Sequence, residues 1–423
     1  MNAVVVALGK IGLPLAVHIG RAGHSVVGCD IDAAVCEAVN AGREPFPGEP
    51  GLAEGLAELV PAGRLRAQAD TTEAVTARPE LVLAVPPLLV DAAGAADFGA
   101  VDAVTGAIGR GLQAGTTVVF ETTLPVGTTR ERITPRLERE SGLRAGDDFW
   151  VAFSPERVSS GRVFRDLDTY PKLVGGVDAD SEERAVELYR AFITAEVWAL
   201  GSAEAAELTK LAETTYRSLN IAFANELARY ADRAGIDGAA VIEAANSQPF
   251  SHIHRPGVAV GGHCIPVYPH LYLQGNPEAE LPRVGLAINE AMPAYAVDRL
   301  EEALGSSLEG RRVLILGVAY RAGVKETAFS GAFGVRDAVA ARGGLPLAAD
   351  PLFAAAELRA EGFEPWDGAA VDGVIIQADH EAYRALGPDD VPGATALVDG
   401  RGTFDATALE AAGVTVRRIG RSR

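Results

Sequence analysis

Cysteine is scarce in this chain: Cys29, Cys36 and Cys264 are the only three among 423 residues. So sparse and odd a set gives no disulfide framework, and a reducing, cytoplasmic setting is expected. Positive charge is short as well. Lysine and arginine number 38 against 57 acidic residues, a net charge of −19. Without a concentrated basic run, that deficit argues against nucleic acid and anionic membrane as partners. An anionic ligand must then be met by a few placed Lys, Arg or backbone N–H groups. No stretch of about 18 apolar residues occurs, so no membrane span is expected. The opening MNAVVVALG has no charged start, long apolar core or cleavage site, and no secretory leader is expected from it. Internal repeats of 20–50 residues and low-complexity tracts are missing too.

What is present is a strand–helix rhythm. Hydrophobic residues make up 48% of the chain, and its length exceeds one ordinary core, which predicts two or three domains. AVVVALG (3–9), HSVVGCD (24–30), LVLAVP (81–86) and TTVVFET (116–122) read as buried strands with helical stretches between them. After Pro293 a second series follows: RRVLILGVAY (311–320), LPLAADP (345–351), VDGVIIQAD (371–379) and TALVDGR (395–401). From Ser202 to about Ala234 there is neither Gly nor Pro, which predicts one long helix ending at Gly235. The fold class expected is α/β: two Rossmann-like, doubly wound parallel-sheet domains joined by a long central helix and a small helical domain. The expected boundaries are 1–195 for a dinucleotide domain, 196–300 for a central helical and dimerisation domain, and 301–423 for a second α/β domain.

ALGKIGLPLA follows the first strand and opens a helix. It nearly matches G-x-G-x-x-G, with Ala7, Gly9 and Gly12 at the key positions. Gly9 can let backbone approach a pyrophosphate, Gly12 can let the helix pack on its strand, and the helix N-terminus attracts negative charge. Asp30 ends the second strand 21 residues after Gly9, where an acid takes the ribose hydroxyls. No Arg or Lys follows it closely, so NAD is preferred over NADP. Lys10 and Ile11 of the turn, Val85 and Pro86 at a strand end, and Thr123 complete the expected cofactor site. If Ala7 needed a positive φ the turn would be strained, so a slightly different turn is expected.

Seven blocks run through nearly the whole chain: ALGKIGLPLA with CDID, ETTLPVGTT (121–129), SPERVSSGR (154–162), AAELTKLAETTYRSLNIAFANE (205–226), PGVAVGGHCIP (256–266), LGVAYRAGVKETAFS (316–330) and DGR (399–401). In order and spacing the chain resembles the UDP-glucose/GDP-mannose dehydrogenase family. Its nearest branch oxidises UDP-N-acetylmannosamine and UDP-N-acetylglucosamine at C6. The resemblance implies a four-electron oxidation of a sugar CH2OH to the uronate by two NAD, in a homodimer paired through the long helix. An aldehyde has no hydride to give until a nucleophile adds to it, which explains a thiol in so constrained a loop. Cys264 matches the family nucleophile, and Gly261 and Gly262 are expected to let its loop press close to the sugar. A buried inert cysteine is the alternative.

Lys210 matches the lysine that holds the developing alkoxide and assists proton removal; a solvated surface charge is its alternative. Glu156 matches the acid that handles the hydrolytic water, with simple pairing to Arg157 as the competing explanation. Thr123 matches the threonine near the nicotinamide and catalytic water, where a strand-end cap would be the bland role. The nucleotide-sugar is expected to meet Glu156, Arg157, Val158, Lys210, Gly261 and Gly262. Arg401 resembles the arginine that grips the nucleotide diphosphate, and Arg321 stands where the family has lysine. Either could be a surface charge.

The chain departs from the family at several places. Tyr268 replaces an aspartate and Thr214 an asparagine, while Phe250, Leu286 and Ala328 replace arginines. The substitutions point to an altered sugar or nucleotide, or to release at the aldehyde. The phenol of Tyr268 is expected to replace the carboxylate as a hydrogen-bonding partner rather than as a base, with plain packing as the alternative. His252, His254, His263, Cys264 and His270 cluster in sequence, but the Pro-Gly loop among them makes convergence on a metal doubtful, and none is expected.

Overall fold

Complete burial along AVVV, with side chains alternating between two faces, explains the first sheet. Val5 and Ala3 join one apolar cluster, Val4 and Val6 another on the opposite face, as a strand covered on both sides requires. The computed structural model describes residues 1–91, 94–402 and 404–421. These fall into two compact units, Met1–Glu213 with His270–Gly275 and Thr214–Pro269 with Asn276–Arg423.

The first unit has strands β1 (Asn2–Val6), β2 (Ser25–Cys29), β3 (Leu65–Gln68), β4 (Leu81–Ala84), β5 (Leu89–Val90), β6 (Ala96–Asp97), β7 (Thr117–Phe120), β8 (Trp150–Phe153), β9 (Lys172–Gly176) and β10 (Val197–Ala199). Eight of them form one sheet in the order β10-β9-β8-β7-β4-β1-β2-β3, and β5 and β6 form a separate antiparallel pair. From β3 to β8 all neighbours run parallel, but β9 lies antiparallel to β8, with Phe153 opposite Gly175. The sheet is therefore not parallel throughout, as the sequence had suggested. The link from β8 to β9 holds only the short helix Val163–Thr169, so it turns the chain back instead of crossing over. Nor did β3, β8, β9, β10 and β15 stand out in the sequence; LRAQ of β3, for one, has only two apolar residues, alternating with Arg66 and Gln68.

The second unit holds β11 (Arg312–Leu316), β12 (Leu345–Ala349), β13 (Gly373–Ile376), β14 (Ala396–Asp399) and β15 (Thr415–Arg418), all parallel in the order β12-β11-β13-β14-β15. Val313 and Ile315 face one core, Leu314 and Leu316 the other. Helices Gly238–Ala245, Glu280–Glu290 and Met292–Leu304 belong to this unit as well. The helix Ala203–Ala234 runs 32 residues, about 48 Å at the usual rise. It ends where Gly235 takes φ +70°, and the division between the units falls within it.

Candidate active site

The turn after β1 is built around a residue whose conformation the sequence reading did not expect. Ala7 does adopt a positive φ, 73°, correcting the expectation of a different turn. Two hydrogen bonds hold it there: Ala7 N–H donates to Cys29 O at 2.8 Å, and Leu8 N–H to Asp30 Oδ2 at 2.7 Å. The second β-strand therefore fixes a conformation that the alanine resists by about 1–2 kcal/mol. Gly12 has no room for a side chain, since a Cβ there would lie 1.9 Å from Ala7 O. At Gly9 a Cβ would meet nothing within 4 Å, so the backbone faces open space. The helix Gly12–Arg21 starts without a side-chain cap or an acidic first turn. Open space, an uncapped helix start and the Asp30 carboxylate fit a dinucleotide pyrophosphate and ribose. Lys10 is exposed and Ile11 half-buried at that mouth, while Val85 extends β4 by donating to Val6 O. Pro86 is buried, its carbonyl taken by the Thr122 hydroxyl, and Thr123 is buried beside it in sequence, 4% exposed.

A second cluster in the same unit surrounds Glu156, just past β8. Its N–H donates to Glu121 O at 3.2 Å, and one carboxylate oxygen accepts from Val158 N–H. Lys210 comes from the long helix. Its Nζ donates to the main-chain carbonyl of Glu156 and lies 3.6 Å from Glu156 Oε2. Lys210 is thus buried, 6% exposed, and not a solvated surface charge. Arg157 is not the partner of Glu156: it pairs with Glu213 at 2.8 Å and donates to Pro171 O. Val158 lines a cleft together with Ile11, Glu121, Glu156 and Lys172.

One turn before Lys210, Glu207 is fully buried. It accepts from Gly127 N–H at 2.6 Å, Thr129 N–H at 2.8 Å and the Thr129 hydroxyl at 2.6 Å. Burial pushes its carboxyl up to about 7 against those three donors. Sequence reading missed this residue, and also Glu121 and Lys172, which form a buried ion pair. Glu121 stood in a quoted block, but nothing local signals a partner 51 residues away.

The second unit carries the other candidates. Cys264 is partly exposed in the loop before helix Tyr268–Gly275, and its carbonyl accepts from Val267 N–H at 3.2 Å and Tyr268 N–H at 2.9 Å. The loop is anchored upstream by Gly257 N–H, which donates to Asn225 Oδ1 at 3.0 Å. Gly261 and Gly262 do permit close approach, but to protein. A Cβ on Gly261 would lie 2.7 Å from Tyr320 Cβ, one on Gly262 would lie 3.1 Å from the Tyr320 ring, and Gly262 N–H donates to Ala328 O. Thr214 is buried on the long helix. Arg321 is exposed, and its Nε donates to the Tyr320 hydroxyl at 2.9 Å. Arg401 is half-buried and donates from Nε to Gln377 O at 2.7 Å. Its turn is organised by the buried Asp399 carboxylate, which accepts from the N–H groups of Arg401, Gly402 and Phe404. Of the positions lacking arginine, Phe250 is 92% exposed and Leu286 is buried. The histidines have separate neighbours: His263 pairs with Glu326, His254 sits on Arg255 O, and His270 packs against Gly94. Among the described residues no three or more His, Cys, Asp or Glu are grouped to hold a metal.

Comparison with known proteins matches residues 1–193 to the NAD binding domain, and residues 204–291 to the central domain, of the UDP-glucose/GDP-mannose dehydrogenase family. The UDP-N-acetyl-D-mannosamine dehydrogenase of Pyrococcus horikoshii is 36% identical over 77% of this chain and 78% of its own length. The NDP-N-acetyl-D-galactosaminuronic acid dehydrogenase of Ralstonia solanacearum is 32% identical over 96% of this chain and 97% of its own. Among solved structures, the UDP-D-ManNAc dehydrogenase from Pyrococcus horikoshii superposes with a TM-score of 0.89 at 31% identity, covering 100% of both chains.

Proposed function

The chain belongs to the UDP-glucose/GDP-mannose dehydrogenase family, an NAD-dependent oxidoreductase by that membership, and we propose that it oxidises C6 of a UDP-N-acetylhexosamine or kindred nucleotide-sugar to the carboxylate. The observation that carries this reading is Lys210 Nζ held against Glu156 in the unit that bears the dinucleotide turn. NAD, when bound, supplies the hydride acceptor for both oxidations. The residues of the chain do the remaining work. Lys210 holds the developing alkoxide and so assists loss of the hydroxyl proton to water as the alcohol becomes an aldehyde. The Cys264 sulfur then bonds to the aldehyde carbon, whose oxygen gains a proton. Loss of the second hydride and that proton leaves a thioester. Water adds to its carbon with Glu156 as base, the C–S bond breaks, and the sulfur recovers a proton. In sum, RCH2OH, two NAD+ and one water give RCOO−, two NADH and three protons.

Thr123 orders the hydrolytic water, Thr214 and Tyr268 flank the reacting carbon, and Arg157, Val158, Arg321 and Arg401 serve the nucleotide-sugar. The functional division kept is 1–195 for NAD, 196–300 for the helical core and 301–423 for the nucleotide. A homodimer through the long helix is supported by Tyr216, Phe223 and Tyr230, more than half exposed at seven-residue spacing. The cytoplasm is supported by the sparse, odd set of three cysteines, and no helix among the described residues is long and apolar enough to cross a membrane. A second reading, an altered sugar or nucleotide or release at the aldehyde, is favoured by Tyr268 heading the helix after Cys264. A panel of UDP-, TDP- and GDP-sugars separates the two. Two NADH per sugar and a carboxylate product support the first, one NADH and an aldehyde the second. Full acid production by Cys264→Ser would overturn the covalent route.

A further inference from the structure

The first unit buries an ion pair that the chemistry above does not use. Lys172 Nζ lies 2.7 Å from Glu121 Oε2, with Lys172 6% and Glu121 1% exposed. Tyr189 donates its hydroxyl to the other oxygen, Glu121 Oε1, and the Lys172 ammonium stands 4.9 Å from the Tyr189 ring centroid. Burial, and then the Glu121 charge, push the Tyr189 phenol well above its ordinary value, so it remains a donor. The three side chains come from the residue just past β7, the start of β9 and the helix Ala179–Arg190.

Taking two charges out of water costs about what their attraction returns, and apolar side chains of similar volume would join these elements as well. The pair is therefore a poor stabiliser. It lies instead on the wall of the cleft that Glu156 also lines. The link between them is a single backbone hydrogen bond: the main-chain carbonyl of Glu121 accepts the Glu156 N–H at 3.2 Å, and next to it Ser154 N–H donates to Phe120 O at 3.0 Å. Where residue 121 stands, the backbone of Glu156 stands. Both carboxylate oxygens of Glu121 are held, one by Lys172 and one by Tyr189.

We propose that Glu121 and Lys172 are positioning residues for Glu156, acting on hydrolysis of the Cys264 thioester and not on the first oxidation. This rests on the hydrolytic role given to Glu156. In that step water oxygen bonds to the acyl carbon, the C–S bond breaks, and one water proton passes to Glu156 and on to the sulfur. No electrons leave or enter. A displaced Glu156 slows this step alone, so thioester accumulates on the protein.

The test uses the full chain with the UDP-N-acetylhexosamine that turns over in the sugar panel. Lys172→Met, Tyr189→Phe and the double variant Glu121→Leu/Lys172→Met are compared, with Glu156→Gln as control. Three quantities are read: melting temperature, rate of the first NADH, and intact mass for covalent adduct. Lys172→Met is expected to slow turnover about 10- to 100-fold with adduct accumulating and the first NADH formed at the wild-type rate. Tyr189→Phe shows the same pattern more weakly. The double variant regains the melting temperature but not the turnover. Recovery of both, or slow turnover without adduct, overturns the proposal. If Glu156→Gln itself accumulates no adduct, the role of Glu156 fails first and this inference falls with it; adduct in Glu156→Gln but in none of the others sinks the inference alone.

Discussion

Lys210 and Glu156 meet twice: Lys210 Nζ donates to the main-chain carbonyl of Glu156 and stands 3.6 Å from its carboxylate. With side chains 7% and 14% exposed, both groups are screened little by solvent. The lysine is set by its helix, and that helix is tied down one turn earlier by Glu207. Lysine and carboxylate thus have independent supports, and separate variants can tell their roles apart.

Lys210→Ala is expected to lower the initial rate of NADH formation from the alcohol about 100- to 10,000-fold, leaving the KM for NAD near its wild-type value. Initial-rate kinetics check it. A loss confined to the NAD KM would show that Lys210 serves cofactor binding instead.

Ala7→Gly relieves a backbone strain of about 1–2 kcal/mol at an entropic cost of about 0.5–1 kcal/mol. The variant is expected to be more stable by about 0.5–1 kcal/mol in urea unfolding. Gly12→Ala should do the reverse, by about 1–3 kcal/mol, because its Cβ would press on Ala7 O from 1.9 Å. A stable Gly12→Ala protein with normal NAD binding would contradict the tight turn.

Glu207 titrates near 7 because burial outweighs its donors. Its folded value lies above the ordinary 4.5, so folding takes up a proton between those values. The contribution is whole below pH 4.5 and is lost as pH rises through about 7. The Thr129 hydroxyl, 2.6 Å away, can turn round to accept the carboxyl proton. Wild type is expected to lose up to about 3 kcal/mol between pH 4.5 and 7.5 that Glu207→Gln does not lose. Urea unfolding of both proteins at the two pH values checks this; parallel losses would clear Glu207 of the effect.

Tyr268→Phe removes only the hydroxyl, because the bond to Cys264 O is made by the Tyr268 main chain. Loss of one hydrogen bond predicts rates about 3- to 10-fold lower in both half-reactions. Unchanged rates for alcohol and aldehyde substrates would mean that the ring merely packs.

Local pattern carried much of this architecture. Eight strands, the helix ending at Gly235 and the turn joining Gly9 to Asp30 are visible because alternation, helical period and glycine punctuation act over a few residues. Lys210 and Cys264 were found through blocks of sequence, not through any local physical signal. The φ of Ala7 was misread because the bonds that impose it come from Cys29 and Asp30 on another strand. Arg157 was offered Glu156 as a neighbour in sequence and took Glu213, 56 residues on.

By itself, then, the sequence determined eight of the strands, the long helix and where the dinucleotide turn lies, since those follow from short-range sterics and burial. The tertiary structure alone decided that β9 runs against β8, that Glu121 and Lys172 neutralise each other, and that Glu207 holds residues 127–129. Those outcomes depend on which distant groups are brought together away from water, where an unpaired charge or amide is too costly to leave, and no stretch of chain records its remote partner.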